Sequence, residues 1–328
     1  MSMRGSDFRG VGTPPVAANP PRLIRSTPLA ILPDFAHHIG DTTTLIDASA
    51  AHEKEARLSD LLDGMESVLV SFSGGVDSSY LLKIAHRTLG SRAVAATGLS
   101  QTYAAEEMDD ARIVASEIGA ELVIVDTAEL TDPRYADNTH QRCYFCKTEL
   151  YSRLTELAEL RGLRHVIDGS NSDDLDDFRP GLRAARDLGV RSPLQEVGLT
   201  KAEIRSLSER LGLRTWDKPA VACLSSRFSY GDPITVEKLR QVASAESAVR
   251  HLGFHGFRVR HHDDIARLEI PRDQFTQAVE HADELVDALR GAGYRHAVLD
   301  LAGYRTGSTN EVLNARLKSR GLRGASTL

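Results

Sequence analysis

Three cysteines in 328 residues are too few to close a disulfide framework. No apolar run approaches the ~20 residues that a membrane span needs, and no segment has the continuous apolar core of a secretory signal. A basic excess is missing too. Lys and Arg number 40 against 46 Asp and Glu, a net charge of −6. General nucleic-acid binders carry the opposite balance, so no nucleic-acid partner is expected. There are no internal repeats. These absences exclude membrane, secreted and repeat architectures, and they make a reducing cytoplasm the expected setting. The composition, 41% hydrophobic and 26% charged, is that of a soluble globular protein, and the length suggests two domains.

Residues 1–47 hold Pro14, Pro15, Pro20, Pro21, Pro28 and Pro33 with little periodicity and read as a disordered tail. From 48 to 220 strands and helices alternate. A polar helix precedes a strand at Val68. Further strands follow at Ala93–Thr97, Glu121–Asp126 and Arg164–Asp168, with helices at Tyr80–Leu89, Ala104–Ile118 and Lys147–Leu160. That order predicts an α/β fold, a doubly wound parallel sheet with helices on both faces. Thr200-Lys201-Ala202-Glu203 matches a capping box that opens another helix. After Pro219 the pattern changes. A polar loop at Cys223–Asp232, a helix at Thr235–Leu252, two short strands, a helix at Gln274–Leu289 and a last strand suggest a smaller α+β domain over 221–328.

The centre of the chain is Val68–Ser79. A buried strand turns through Ser73-Gly74-Gly75-Val76-Asp77-Ser78 into a helix. A strand, a glycine turn and a helix N-terminus make an anion site. Gly74 and Gly75 admit a ligand close to the backbone. The hydroxyls of Ser73 and Ser78 add donors. Asp77 reads as a helix N-cap or as a carboxylate facing Mg²⁺. Ligands of such sheets sit off the carboxyl ends of the strands. Thr97, Gly169, Asn171 and Asp173 are therefore expected to join the loop around one nucleotide. No lysine follows Gly75, which excludes a Walker A motif. The run instead resembles the PP-loop of the ATP pyrophosphatases. That resemblance implies ATP as cosubstrate, cleavage between the α and β phosphates, and adenylation of the substrate.

Cys143 and Cys146 form Cys-Tyr-Phe-Cys just before a helix, and Cys223 stands alone. The pair reads as a redox motif, as half of a zinc site with His140 and Cys223, or with Cys223 as the ligands of a [4Fe–4S] cluster. Spacing does not choose among these.

A wider set of motifs carries a family resemblance. Asp168-Gly169-Ser170-Asn171-Ser172-Asp173-Asp174, Phe178-Arg179-Pro180-Gly181, Arg191-Ser192-Pro193-Leu194, Gly198-Leu199-Thr200-Lys201, Thr215-Trp216-Asp217-Lys218-Pro219-Ala220 and Cys223-Leu224-Ser225-Ser226-Arg227 resemble the LarE family. These are ATP-dependent sulfur transferases of nickel-pincer nucleotide cofactor synthesis. The resemblance spans roughly Leu58–Leu301. It implies adenylation of a carboxylate of pyridinium-3,5-biscarboxylic acid mononucleotide and its conversion to a thiocarboxylate. One form of the family sacrifices a single cysteine, which corresponds to Cys223. Another holds a [4Fe–4S] cluster on three cysteines, and Cys143, Cys146 and Cys223 match that form. Arg258 and Arg260 alternate along a strand and share a face; with Arg227 they are expected to grip the substrate's phosphate and free carboxylate. Glu246 is expected to serve as a base near the sulfur. Other proteins of the same cofactor synthesis are expected partners, and a homo-oligomer is expected.

Three rival readings are distinguishable. A tRNA thiolase would show salt-dependent binding to bulk tRNA. An ATP-dependent amide ligase would consume glutamine or ammonia. A non-enzymatic ATP or zinc sensor would bind ATP without releasing AMP.

Overall fold

In the computed structural model, residues 48–103, 105–176, 180–219 and 222–305 are described. The proline-rich segment 1–47, Phe178-Arg179 and Ala220 lie outside the described residues. Helix α1 (Ala48–Met65) leads into β1 (Val68–Ser71) and α2 (Val76–Leu89). Then come β2 (Ala93–Leu99), α3 (Ala105–Ile118), β3 (Leu122–Asp126), α4 (Pro133–Ala136), α5 (Arg142–Leu160) and β4 (His165–Ile167). Helices α6 (Pro180–Asp187), α7 (Pro193–Glu196) and α8 (Lys201–Arg210) follow.

The four strands form a parallel sheet in the order β3-β2-β1-β4. Strand alternation divides its side chains between two cores. Val68 and Val70 of β1 and Ala93 and Ala95 of β2 pack with Leu58, Leu62, Leu81 and Ile204 on one face. Leu69, Val94 and Ala96 pack with Tyr151, Leu154 and Ala184 on the other. A period of two with both faces covered is what a central parallel strand requires. β1 lies between β2 and β4, where the winding reverses. Its C-terminal loop therefore opens into the crevice that such sheets use for ligands.

The later part comprises α9 (Val236–His251), β5 (Arg258–His262), β6 (Ile265–Glu269), α10 (Phe275–Glu280), α11 (Ala282–Gly291) and β7 (His296–Leu299). β5 and β6 are antiparallel, and β7 pairs parallel to β6. Val259 and Leu268 pack beneath Ala245, Val249, Leu285 and Leu289. The stretch 274–289, which reads as one helix, is broken at His281, where the backbone leaves the helical region (φ −102°, ψ 29°). A further cluster of Tyr135, Leu224, Phe228, Ile234, Leu239 and Val242 joins α4 to α9. All described residues fall within one compact unit. Among them no helix is long and apolar enough to cross a membrane.

Candidate active site

The loop after β1 is tied by its own serines. The hydroxyls of Ser73 and Ser78 are 3.1 Å apart, Ser73 N donates to Ser78 Oγ (3.3 Å), and Ser78 Oγ donates to Gly75 O (3.3 Å). Gly74 takes φ +67°, and a Cβ there would stand 3.0 Å from Ala111 Cα. Only glycine combines that torsion with that approach. Gly75, in extended conformation, is the N-cap of α2 and makes no side-chain cap bond. Asp77 is therefore not the cap; it lies in the first helical turn. The first N–H groups of a helix have no intrahelical acceptor and favour an anion at this end.

The expected neighbours converge on the loop with different roles. A Cβ on Gly169 would stand 2.9 Å from Ser78 N, so its absence lets the end of β4 abut α2. The hydroxyl of Thr97 is buried and donates to Phe72 O (2.7 Å), which braces the loop from behind. Asn171 Oδ1 accepts from Asp173 N (3.0 Å), and Asn171 N donates to Asp174 Oδ2 (3.0 Å), closing a tight turn.

Lys201, which stands in two of the motifs, has a role here that the motifs did not assign. Lys201 Nζ donates to Asp77 Oδ2 at 2.5 Å, and Lys201 N donates to Asp173 Oδ2 at 2.9 Å. The capping box at Thr200 is formed in both directions and fixes Lys201 as the first residue of α8. The positive charge absent from the loop is thus delivered from 124 positions downstream. Asp77 Oδ1 is buried with no hydrogen-bond partner, an acceptor suited to a cation such as Mg²⁺.

Helix α5 starts at Arg142, five residues earlier than its pattern suggests. Cys143 and Cys146 are therefore inside its first turns at a spacing of three, on one side of the helix. Cys143 and Cys223 are exposed and Cys146 is half-buried. Cys223 precedes a short 3₁₀ turn, Leu224–Arg227. Hydrogen bonds hold that turn against α4 and α5. Tyr135 Oη and Ser225 Oγ are 2.6 Å apart, and Arg142 Nη1 donates to Ser225 O (2.8 Å). The three thiols are within electrostatic reach of one another. Desolvation and the charge of Cys223 raise the Cys143 thiol above the usual range. Desolvation, then the charges of Glu129, Cys223 and Cys143, raise Cys146. Among the described residues, no group of three or more His, Cys, Asp or Glu is arranged to hold a metal ion. Neither a zinc set with His140 nor a three-thiolate cage is preformed.

The arginines and Glu246 have partners that sequence reading does not reveal. Arg227 donates through Nε and Nη2 to both oxygens of Glu246 (2.8 Å each) and through Nη1 to Ala222 O and Cys223 O (2.6 and 3.0 Å). Glu246 Oε1 also accepts from Val259 N (3.0 Å). Both side chains are about 95% buried, with relative exposures of 4% and 5%. The pair locks the Cys223 loop to α9 and β5, which differs from the expected gripping and base roles. Arg260 is likewise committed, to Glu269 (Nε–Oε2 3.0 Å) and to Ser226 O (2.8 Å). Arg258, two residues away on β5, is half-buried over the ring of Tyr304. Burial and then the charge of Arg227 hold its guanidinium below the usual arginine range.

Comparison with known proteins agrees with this geometry. The NAD synthase family profile matches residues 57–159, the first part of the parallel sheet. An uncharacterized protein of Synechocystis is 46% identical over 251 residues, covering 76% of this chain and 94% of that protein. Pyridinium-3,5-bisthiocarboxylic acid mononucleotide synthase of Lactiplantibacillus plantarum is 39% identical over 261 residues, covering 79% of this chain and 95% of the synthase. A tRNA-specific 2-thiouridylase of Rickettsia peacockii is 25% identical over 248 residues, covering 63% of this chain and 66% of that enzyme. A PP-loop on a parallel sheet and that identity across nearly the whole synthase place the chain in the LarE family of ATP-dependent sulfur transferases.

Proposed function

We propose that the protein adenylates a carboxylate of pyridinium-3,5-biscarboxylic acid mononucleotide with ATP and converts the acyl-adenylate to a thiocarboxylate, releasing pyrophosphate and then AMP. The observation that carries this reading is the fastening of the Cys223 loop to both parts of the site. Leu224 N donates to Thr102 O, beyond the end of β2, while Ser225 is bonded to the helix that bears Cys143 and Cys146. The residue after Thr102, Tyr103, donates its hydroxyl to Ser73 O of the nucleotide loop (3.0 Å), a linkage that supports sulfur attack on a bound acyl-adenylate.

The residues divide the work. Ser73, Gly74, Gly75, Val76 and Ser78 cradle the leaving pyrophosphate at the N-terminus of α2. Asp77 holds Mg²⁺ through the oxygen that lacks a partner. Lys201, already against Asp77, balances its charge and reaches the phosphates. Arg258, over the ring of Tyr304, supplies positive charge to the anionic substrate. Adenylation gives an otherwise inert carboxylate a leaving group, and sulfur is the nucleophile that displaces AMP. Cys143, Cys146 and Cys223 would be the ligands of a [4Fe–4S] cluster: desolvation and the charge of Cys223 raise the thiols of Cys143 and Cys146, and a cation between the sulfurs would offset both. When bound, such a cluster would supply a site for an added sulfide. The product passes to later proteins of the same cofactor synthesis.

The test is product analysis with ATP and the biscarboxylate mononucleotide. AMP and pyrophosphate are expected in equal amounts; ADP and phosphate would sink the proposal. Lys201→Met supplies a second check. Its side chain is 32% exposed, so the fold should tolerate the change. Loss of a charged phosphate contact is worth about 1.5–3 kcal/mol, so the KM for ATP should rise roughly tenfold or more. An unchanged KM would leave Lys201 as a brace for Asp77 alone.

A further inference from the structure

We propose that Arg142 is the positioning residue of the sulfur site, pinning the Cys223 loop to the helix that carries Cys143 and Cys146. Its side chain is 4% exposed, although it begins a helix whose neighbouring Cys143 is open to solvent. Burying a guanidinium is costly unless its donors are matched. Here they are matched across the gap between two segments. Nη1 donates to Asn138 Oδ1 (2.5 Å) behind it and to Ser225 O (2.8 Å) in the Cys223 turn. The guanidinium also lies over the ring of Tyr230, 5.6 Å from its centroid.

Asn138 completes the clamp. It is fully buried at φ +52°, a backbone region that asparagine tolerates better than most residues. Its Nδ2 donates to Ser229 O (2.7 Å) and Asp232 O (3.0 Å), and its carbonyl accepts from Gly231 N (3.0 Å). One residue, held by Arg142, therefore fixes the downstream limb of the Cys223 loop, while Arg142 fixes the upstream turn directly. The loop contributes no strand or long helix of its own. Arg227 and Arg260 hold this loop to α9 and β5, whereas Arg142 ties it to the helix that bears Cys143 and Cys146. The same guanidinium presents positive charge where sulfur must be held as an anion.

This inference concerns the arrangement of the thiols and stands whether sulfur is carried on a cluster or taken from Cys223. The test therefore uses reduced, metal-free, full-length protein and dibromobimane, which fluoresces when it bridges two nearby thiols. Cys143→Ser protein reports the pair Cys146 and Cys223 across the clamp. Cys223→Ser protein reports Cys143 and Cys146 within α5. Adding Arg142→Met should slow bridging across the clamp about tenfold, the scale of a lost charged hydrogen bond, and leave bridging within α5 unchanged. Arg142→Lys, which keeps the charge on a different head group, should fall between. Undiminished bridging across the clamp, or equal slowing of both pairs, would overturn the proposal. Should Arg142→Met fail to fold, an Arg142→Lys rate equal to that of the parent protein would overturn it as well.

Discussion

Cys223→Ala protein is expected to lose sulfur transfer completely while still binding ATP. The substitution removes an exposed side chain and leaves the fastening of its turn, through Ser225 and Arg227, untouched. Folding and ATP affinity should therefore remain. Without the sulfur there is no nucleophile of comparable strength, and thiocarboxylate formation should fall below detection. Cys143→Ala and Cys146→Ala distinguish the two sulfur sources. If a cluster carries the transferred sulfide, each of these should be as inactive as Cys223→Ala, and intact-mass analysis after many turnovers should find all protein sulfur retained. A Cys143→Ala protein that turns over once and then carries dehydroalanine at Cys223 would abolish the cluster reading and establish Cys223 as the sulfur that is consumed.

Glu246→Ala should be the most destabilising of the single changes considered. It leaves Arg227 buried at 4% exposure with its strongest partner gone and releases Val259 N as well. Removing one member of a buried ion pair costs about 3–5 kcal/mol. For a domain of this size that corresponds to a fall of roughly 6–20 °C in Tm. The Cys223 loop should loosen, because Arg227 holds Ala222 O and Cys223 O from the same fork. Thermal melts together with turnover settle the role of Glu246. A variant with an unchanged Tm and a lost kcat would mean that Glu246 acts as a base. Loss of both, with partial recovery in Glu246→Gln, is the expected result. By the same reasoning Arg260→Ala strips Glu269 of a buried partner, so weakened substrate binding in that variant has to be judged against its stability.

The local features of this chain were legible because their causes are local. Ser73–Ser78 carries its own hydroxyl donors and its own glycines, and the apolar run before it specifies a strand buried on both faces. Thr200 and Glu203 satisfy each other's backbone within a single turn. The alternation of strands and helices was sufficient for a parallel sheet, and the position of the loop at its carboxyl edge followed. The start of α5 was missed for a physical reason: Gln141 caps it without any side-chain bond, so the sequence offers no start signal before Cys143.

What only the tertiary structure decided was the assignment of charge to partners. Lys201 meets Asp77 across 124 residues, Arg142 meets Ser225 across 83, and Arg227 takes Glu246 as its own. A charged side chain advertises its sign in the sequence but not its counterion. In a low-dielectric interior the counterion determines whether the charge holds the fold together or remains for a ligand. The motifs therefore named the chemistry, and the packing determined which of the charged residues serve it directly and which hold the sulfur in place.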